Sequence, residues 1–252
     1  MKKIFLVLVP LMLNASPWIF RVSGESSLSK YGGTLKRRSA YASVAMKADL
    51  IRLKDSLFLM VGGKEAVWMG RDKGPIQLDP QQADYLLQGG VIKYLTFGKY
   101  IGVILDHPCY HQIDTLVVRS LYWNKIKLIY GNYRTKKPLQ YRKLRYHIEV
   151  GSFLRHKDIP WLTKGLDFQF DIYARAEYAF LRVGEVKIYT ESQLYMGISM
   201  NYNFHPSLEI NLGFSIAGEE GEGRFFVGIR PIDRKTFREA EGAPYIGIKI
   251  LY

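Results

Sequence analysis

Apolar and polar residues alternate with period two along most of the chain. From Leu166 to Tyr178, one face carries Leu166, Phe168, Phe170, Ile172, Ala174, Ala176 and Tyr178. The other carries Asp167, Gln169, Asp171, Tyr173, Arg175 and Glu177. Successive side chains of a strand point to opposite sides, so this is a strand with one apolar face. The pattern recurs from Val186 to Asn203, where Ile188, Leu194, Met196 and Ile198 oppose Lys187, Glu191, Gln193 and Ser199. It recurs again in Leu208, Ile210, Leu212, Phe214 and Ile216, and in Leu144, Tyr146, Ile148 and Val150.

Length then separates two architectures. A strand in a globular protein is usually about five or six residues long. Alternation over ten or more residues suits a tilted crossing of a bilayer. Lipid gives a sheet edge no hydrogen-bond partner, so spanning strands must close into a barrel. Strands are predicted near 17–24, 38–51, 56–66, 83–96, 99–109, 116–131, 139–153, 166–181, 186–203, 207–217, 223–232 and 244–252. The fold class is therefore all-β, a transmembrane antiparallel up-and-down barrel of about twelve strands. The first strand has the least alternation, which leaves ten as the other count. Short connections are expected at 52–55, 97–98 and 182–185, and longer ones at 67–82, 154–165 and 233–243.

The first residues read as an export signal. Lys2 and Lys3 precede the apolar run Ile4–Leu13, and Ala15 and Ser16 offer small residues for cleavage. Residues 1–16 are thus expected to be a signal peptide, and 17–252 one barrel domain. That apolar run is too short for a transmembrane helix. Cys109 is the single cysteine of 252 residues, which excludes a disulfide scaffold. The net charge of +13 would suit nucleic acid on a soluble chain, but an exported barrel would not meet it, so no nucleic-acid partner is expected.

The chain ends Tyr245-Ile246-Gly247-Ile248-Lys249-Ile250-Leu251-Tyr252. This resembles the last strand of bacterial outer-membrane β-barrels: an aromatic residue, a glycine two positions on, alternating apolar residues and a terminal aromatic. Ile246, Ile248, Ile250 and Tyr252 fit the lipid face. The resemblance implies the outer membrane of a Gram-negative-type envelope, and recognition by the barrel-assembly machinery through Tyr245, Gly247, Ile250 and Tyr252.

The densest polar cluster runs from Asp106 to Asp114 and follows the strand that ends near Leu105. Ile101, Val103, Leu105, His107, Cys109 and His111 share the outward parity, and Pro108 is expected to bend the chain before Cys109. On the next strand Asn124, Tyr122 and Ser120 share the parity of Ile126 and Leu128. The cluster resembles outer-membrane phospholipase A, whose family carries His-x-Ser on one strand and an active asparagine on the next. The resemblance aligns His107 with the histidine and Trp123-Asn124-Lys125 with the asparagine context. Cys109 stands where the family has serine, and the Asn-Gly that follows that serine is missing. A thiol beside a histidine can act as a nucleophile. Ser120 is the other candidate nucleophile.

Other chemistries compete. His107, Cys109 and His111 are ligand types that zinc accepts, though alternate strand residues are about 7 Å apart. A structural network of the same residues is the bland alternative. In the lumen Lys125, Lys127, Arg142, Lys143, Arg145, Arg175 and Arg182 accompany Asp167, Asp171, Glu177, Glu185 and Glu191, either as an anion-selecting pore or as ion pairs that fill the barrel. Lys36-Arg37-Arg38, Arg134 to Lys137 and Arg155-His156-Lys157 read as solvated loops in reach of lipid phosphates. The acidic turn Gly218–Gly223 lacks the spacing of a calcium loop, and no cofactor is indicated. Two functions follow: a structural or narrow-pore barrel, and a lipid acyl hydrolase of phospholipase or lipid A deacylase type, with a lipid-facing site around His107.

Overall fold

The computed structural model describes residues 21–32, 39–70, 79–112, 120–133, 137–154, 163–164, 168–234 and 241–252. The expected signal peptide, the two basic loops at 36–38 and 155–157, and Asp114 lie outside them. Twelve antiparallel strands form a single closed sheet. They are β1 (Arg21–Tyr31), β2 (Ala40–Lys54), β3 (Leu57–Gly70), β4 (Asp79–Tyr94), β5 (Tyr100–Gln112) and β6, which runs in two pieces, Ser120–Trp123 and Lys125–Gly131. They continue as β7 (Leu144–Phe153), β8 (Phe168–Val183), β9 (Val186–Ser199), β10 (Phe204–Ala217), β11 (Glu222–Asp233) and β12 (Pro244–Leu251). The two-residue strand Thr163–Lys164 pairs antiparallel with the first piece of β6.

Each strand pairs with its neighbours in sequence, and β1 closes the circle on β12, from Glu25 opposite Leu251 to Tyr31 opposite Tyr245. The described first strand runs on to Tyr31, beyond the expected end at 24, and the ten-strand count falls. Its stretch Ser23-Gly24-Glu25-Ser26-Ser27 has too few apolar residues to announce a strand; closure demands it. Gly247 is required here, because a Cβ on it would run into the Phe226 ring. One end of the barrel carries the C-terminus and the tight connections 55–56, 95–99 and 184–185, where Gly184 supplies a positive φ of 59°. The segment 132–143 also joins strands at this turn end and is longer than expected. The opposite, loop end carries the connection between β5 and β6.

The outer wall is apolar. Leu105, Ile210, Leu212, Ile246 and Ile250 are among its exposed side chains. The lumen is polar and filled. Glu177 is held bidentately by Arg224, at 2.9 and 3.0 Å, and also by Arg145 and Arg175. Arg175 continues to Glu191 and across to Glu25 on β1, so the network ties near-opposite walls together. Arg145 and Arg175 both lie 4.3 Å from the centre of the Tyr133 ring, which enters the lumen from the segment after β6. Leu139 of the same segment is buried against Ala179 and Tyr189 and donates its N–H to Glu222. Lys125, Lys127, Arg145, Arg175, Asp171, Glu177 and Glu191 are thus ion-paired fillers of the lumen. Arg142, Lys143, Arg182 and Glu185, also expected there, are instead exposed near the turn end because they lie at the strand ends, and Asp167 lies outside the described residues. A cavity of about 600 Å³ remains, lined by residues that include Arg21, Lys47, Tyr100 and Tyr173.

Removing one member of a buried charge network leaves its partners uncompensated, at a cost of about 3–5 kcal/mol. Glu177→Ala removes the carboxylate that three guanidiniums share, leaving each with fewer partners. We expect it to unfold at markedly lower urea than the parent barrel, followed by loss of heat-modifiable gel migration, with Glu177→Gln between the two. An unchanged midpoint would show that the network fills space without stabilising.

Candidate outer-wall site

Strand β5 keeps strict alternation through its proline. Tyr100, Gly102, Ile104, Asp106 and Pro108 face the lumen, while Ile101, Val103, Leu105, His107 and Cys109 face outward. Pro108 pairs with Leu86 in regular register, so the expected bend before Cys109 is not formed. Proline cannot donate to a ladder. On the β6 side the pairing skips from Asp106–Lys125 to Cys109–Tyr122, so no ladder bond is lost at Pro108 and the alternation continues.

Across from it, β6 breaks at Asn124, between Trp123 and Lys125. Both neighbours of Asn124 are anchored inside. Trp123 stacks on Tyr110 of β5, with ring centres 4.9 Å apart, and Lys125 pairs with Asp171 at 2.7 Å. Asp106, beside His107, binds Lys127 at 2.8 Å. These lumen contacts lock the backbones on which the outward residues stand. The carbonyl of Asn124 also accepts from Leu154 N–H, tying the break to the end of β7.

The outward side chains meet. His107 Nδ1 and Asn124 Oδ1 are 2.8 Å apart. His107 Nε2 and Cys109 Sγ are 3.1 Å apart. An amide oxygen can only accept, so Nδ1 carries the proton and donates it to Asn124. That tautomer leaves the Nε2 lone pair aimed at the thiol, which donates to it. Tyr122 packs beside the imidazole, with ring centres 6.0 Å apart. Cys109 pairs with Tyr122 on one side and Tyr85 on the other.

Three expected site residues therefore converge, and two do not. Ser120 pairs with His111, four residues along β5 from His107, or about 13 Å. That register puts Ser120 beyond reach of the histidine that contacts Cys109. His111 sits instead edge-on to Tyr85, with centres 5.6 Å apart. Both ring nitrogens of His107 are occupied, and among the described residues no three His, Cys, Asp or Glu side chains converge as metal ligands. The structure thus does not gather His107, Cys109 and His111 around one ion.

Outward aromatics set the depth of the site. Tyr85 and Tyr122 flank it near the loop end, while Tyr130 and Tyr146 lie near the turn end and share a hydrogen bond of 3.4 Å. Tyr122 and Tyr130 are about 27 Å apart along β6, which a strand tilt of about 40° reduces to about 20 Å of height. The site sits in the loop-end girdle, at the boundary of the apolar band.

No family model and no curated protein matches the chain. Solved structures do. The barrel is similar to outer membrane phospholipase A from Escherichia coli, with a TM-score of 0.50 and 10% identity over 92% of each chain. It is equally similar to the calcium-bound dimer of the Salmonella typhi outer membrane phospholipase, at TM-score 0.50 and 12% identity over 96% of each chain. LpxR from Salmonella typhimurium matches at TM-score 0.46 and 10% identity, over 91% of this chain and 99% of that one. At these identities the likeness is one of fold. The chain is a closed twelve-stranded barrel of outer-membrane type, similar in fold to outer-membrane phospholipase A.

Proposed function

We propose that this barrel is an outer-membrane lipid acyl hydrolase with a thiol nucleophile. The observation that carries the reading is the chain of contacts Cys109–His107–Asn124 on the lipid-facing wall. A nucleophile, a base and a group that orients the base are the parts that acyl transfer needs. The fold neighbours support it, and one of them is an active-site mutant of the E. coli phospholipase in which an asparagine is replaced by alanine; Asn124 is the residue this chain offers for that place. Export by residues 1–16 and assembly through Tyr245, Gly247, Ile250 and Tyr252 belong to the same reading, with the loop end outward.

The chemistry proceeds as follows. His107 Nε2 takes the thiol proton as Cys109 Sγ attacks the carbonyl carbon of a lipid ester. The bond between that carbon and the alcohol oxygen breaks, and His107 returns the proton to the departing alcohol, leaving a lysolipid and an acyl thioester on Cys109. Water, deprotonated by His107, then attacks the thioester; fatty acid leaves and the thiol is restored. Asn124 holds the productive tautomer throughout. A conducting pore is the weaker alternative, because the Glu25–Arg175 pair bridges the lumen.

Fatty-acid release from mixed micelles tests the reading. Cys109→Ala is expected to abolish release, and Cys109→Ser to retain a fraction of it. His107→Ala is expected to lower the rate by about 10²–10⁴, with Asn124→Ala milder because the imidazole remains. Full activity in Cys109→Ala, with heat-modifiable migration intact, would remove the thiol from the mechanism.

Orientation has its own test. Cys109 is the one cysteine, so labelling is unambiguous. A lipid-partitioning maleimide should label the folded barrel in vesicles faster than a charged methanethiosulfonate. The reverse order would put the thiol on the aqueous lumen.

A further inference from the structure

From the loop-end girdle to the turn-end girdle, the carboxylates of the described strand residues face the lumen, with one exception. Glu65 on β3 lies between Ala66 and Lys64, which both point inward, and its own side chain is exposed on the outer wall. It makes no ion pair or side-chain hydrogen bond among the described residues. A charge on the lipid face is costly and marks a functional site by default.

Register places Glu65 with respect to the nucleophile. Glu65 pairs with Tyr85, and Tyr85 pairs with Cys109. The three lie in one outward row, and Glu65 is two strand spacings from Cys109, about 10 Å. On its other side the wall is concave. Ser26 and Ala42 are small, and with Leu28, Val44 and Ile248 they frame a hollow of about 350 Å³ that Glu65 borders.

We infer that Glu65 recognises the cationic headgroup of an aminophospholipid, and so gives the enzyme a preference for such lipids over anionic ones. This rests on the acyl-hydrolase reading for the position of the scissile ester. With that carbonyl at Cys109, the glycerol and phosphate pass over Tyr85, whose hydroxyl is a donor suited to phosphate oxygen. The ethanolamine then brings its ammonium to Glu65, where the carboxylate gains a partner that the protein does not provide. An anionic headgroup in the same place would meet like charge without a compensating donor. The hollow beyond Glu65 is mostly apolar and dimensioned for a neighbouring acyl chain.

The experiment presents phosphatidylethanolamine and phosphatidylglycerol as an equimolar pair in mixed micelles and reads the ratio of the two lysolipids. In parallel, the Cys109→Ala barrel is released from nanodiscs of the same mixture, and its retained lipids are weighed by native mass spectrometry. Glu65→Gln should lower the ethanolamine preference about fivefold in both readouts, the worth of one exposed ion pair, and Glu65→Lys should reverse it. A ratio unchanged in Glu65→Gln overturns the inference. So does a preference that chelator abolishes in the parent protein, which would assign Glu65 to a divalent cation. Retention that depends on Glu65 in a protein that releases no fatty acid would sink the hydrolase reading and leave the headgroup site standing.

Discussion

In hydrocarbon an unpaired backbone N–H or C=O has nothing to bond to, and each one left open costs several kcal/mol. That single constraint forces β1 onto β12 and fixes every register between them. It also makes strands out of segments with little strand character of their own, such as Ser23–Ser27, and it leaves no freedom to slip, because a shift by one residue would turn every Leu and Ile of a strand into the lumen and every Glu and Arg into lipid. The outer-wall site is a consequence of this. His107 and Asn124 sit on neighbouring strands, and only the fixed pairing of Asp106 with Lys125 brings their side chains to 2.8 Å.

The lumen then does for this barrel what an apolar core does elsewhere. Buried guanidiniums and carboxylates satisfy one another, with Tyr133 and Leu139 filling the space between them. Because the interior contacts of β5 and β6 involve Asp106, Tyr110, Trp123 and Lys125, each outward site residue is flanked in sequence by inward anchors. A side chain on a lipid-facing wall has no packed protein above it, so its precision must come from the backbone below. The break in β6 at Asn124 fits the same logic: it releases one residue from the ladder while both neighbours stay pinned.

Much of this was legible in the sequence. Period-two alternation carries the fold, since the lipid face admits few polar residues and makes each long strand conspicuous. Parity alone put His107, Cys109 and Asn124 on the outer wall. What parity cannot supply is register. From sequence, Ser120 was the alternative nucleophile to Cys109, and register separates them: His111 pairs with Ser120, while His107 contacts Cys109. Pro108 read as a bend because a missing N–H is usually disruptive, yet the β6 pairing skips this residue and no ladder bond is lost. Glu65 was not singled out in the sequence, and its relation to Cys109 runs through β4 and appears only once two registers are known.

A thiol in place of a hydroxyl suits this location physically. An S–H is a weak donor, so it loses less than a serine hydroxyl when the surroundings are partly apolar. The thiolate is the reactive form, however, and charge formed in a dry site is unfavourable, so proton transfer to His107 is useful only if the resulting pair stays close. The 3.1 Å contact provides that closeness. Depth matters equally. Were the row of Cys109 placed at mid-membrane, the ion pair would be harder to form and water would not reach the thioester in the second step. Were it above the girdle, the ester would not reach the thiol. Under the proposed hydrolase reading, Tyr85 and Tyr122 would mark the level at which an acyl ester, the Cys109 thiol and hydrolytic water meet, and both tyrosines flank Cys109 directly.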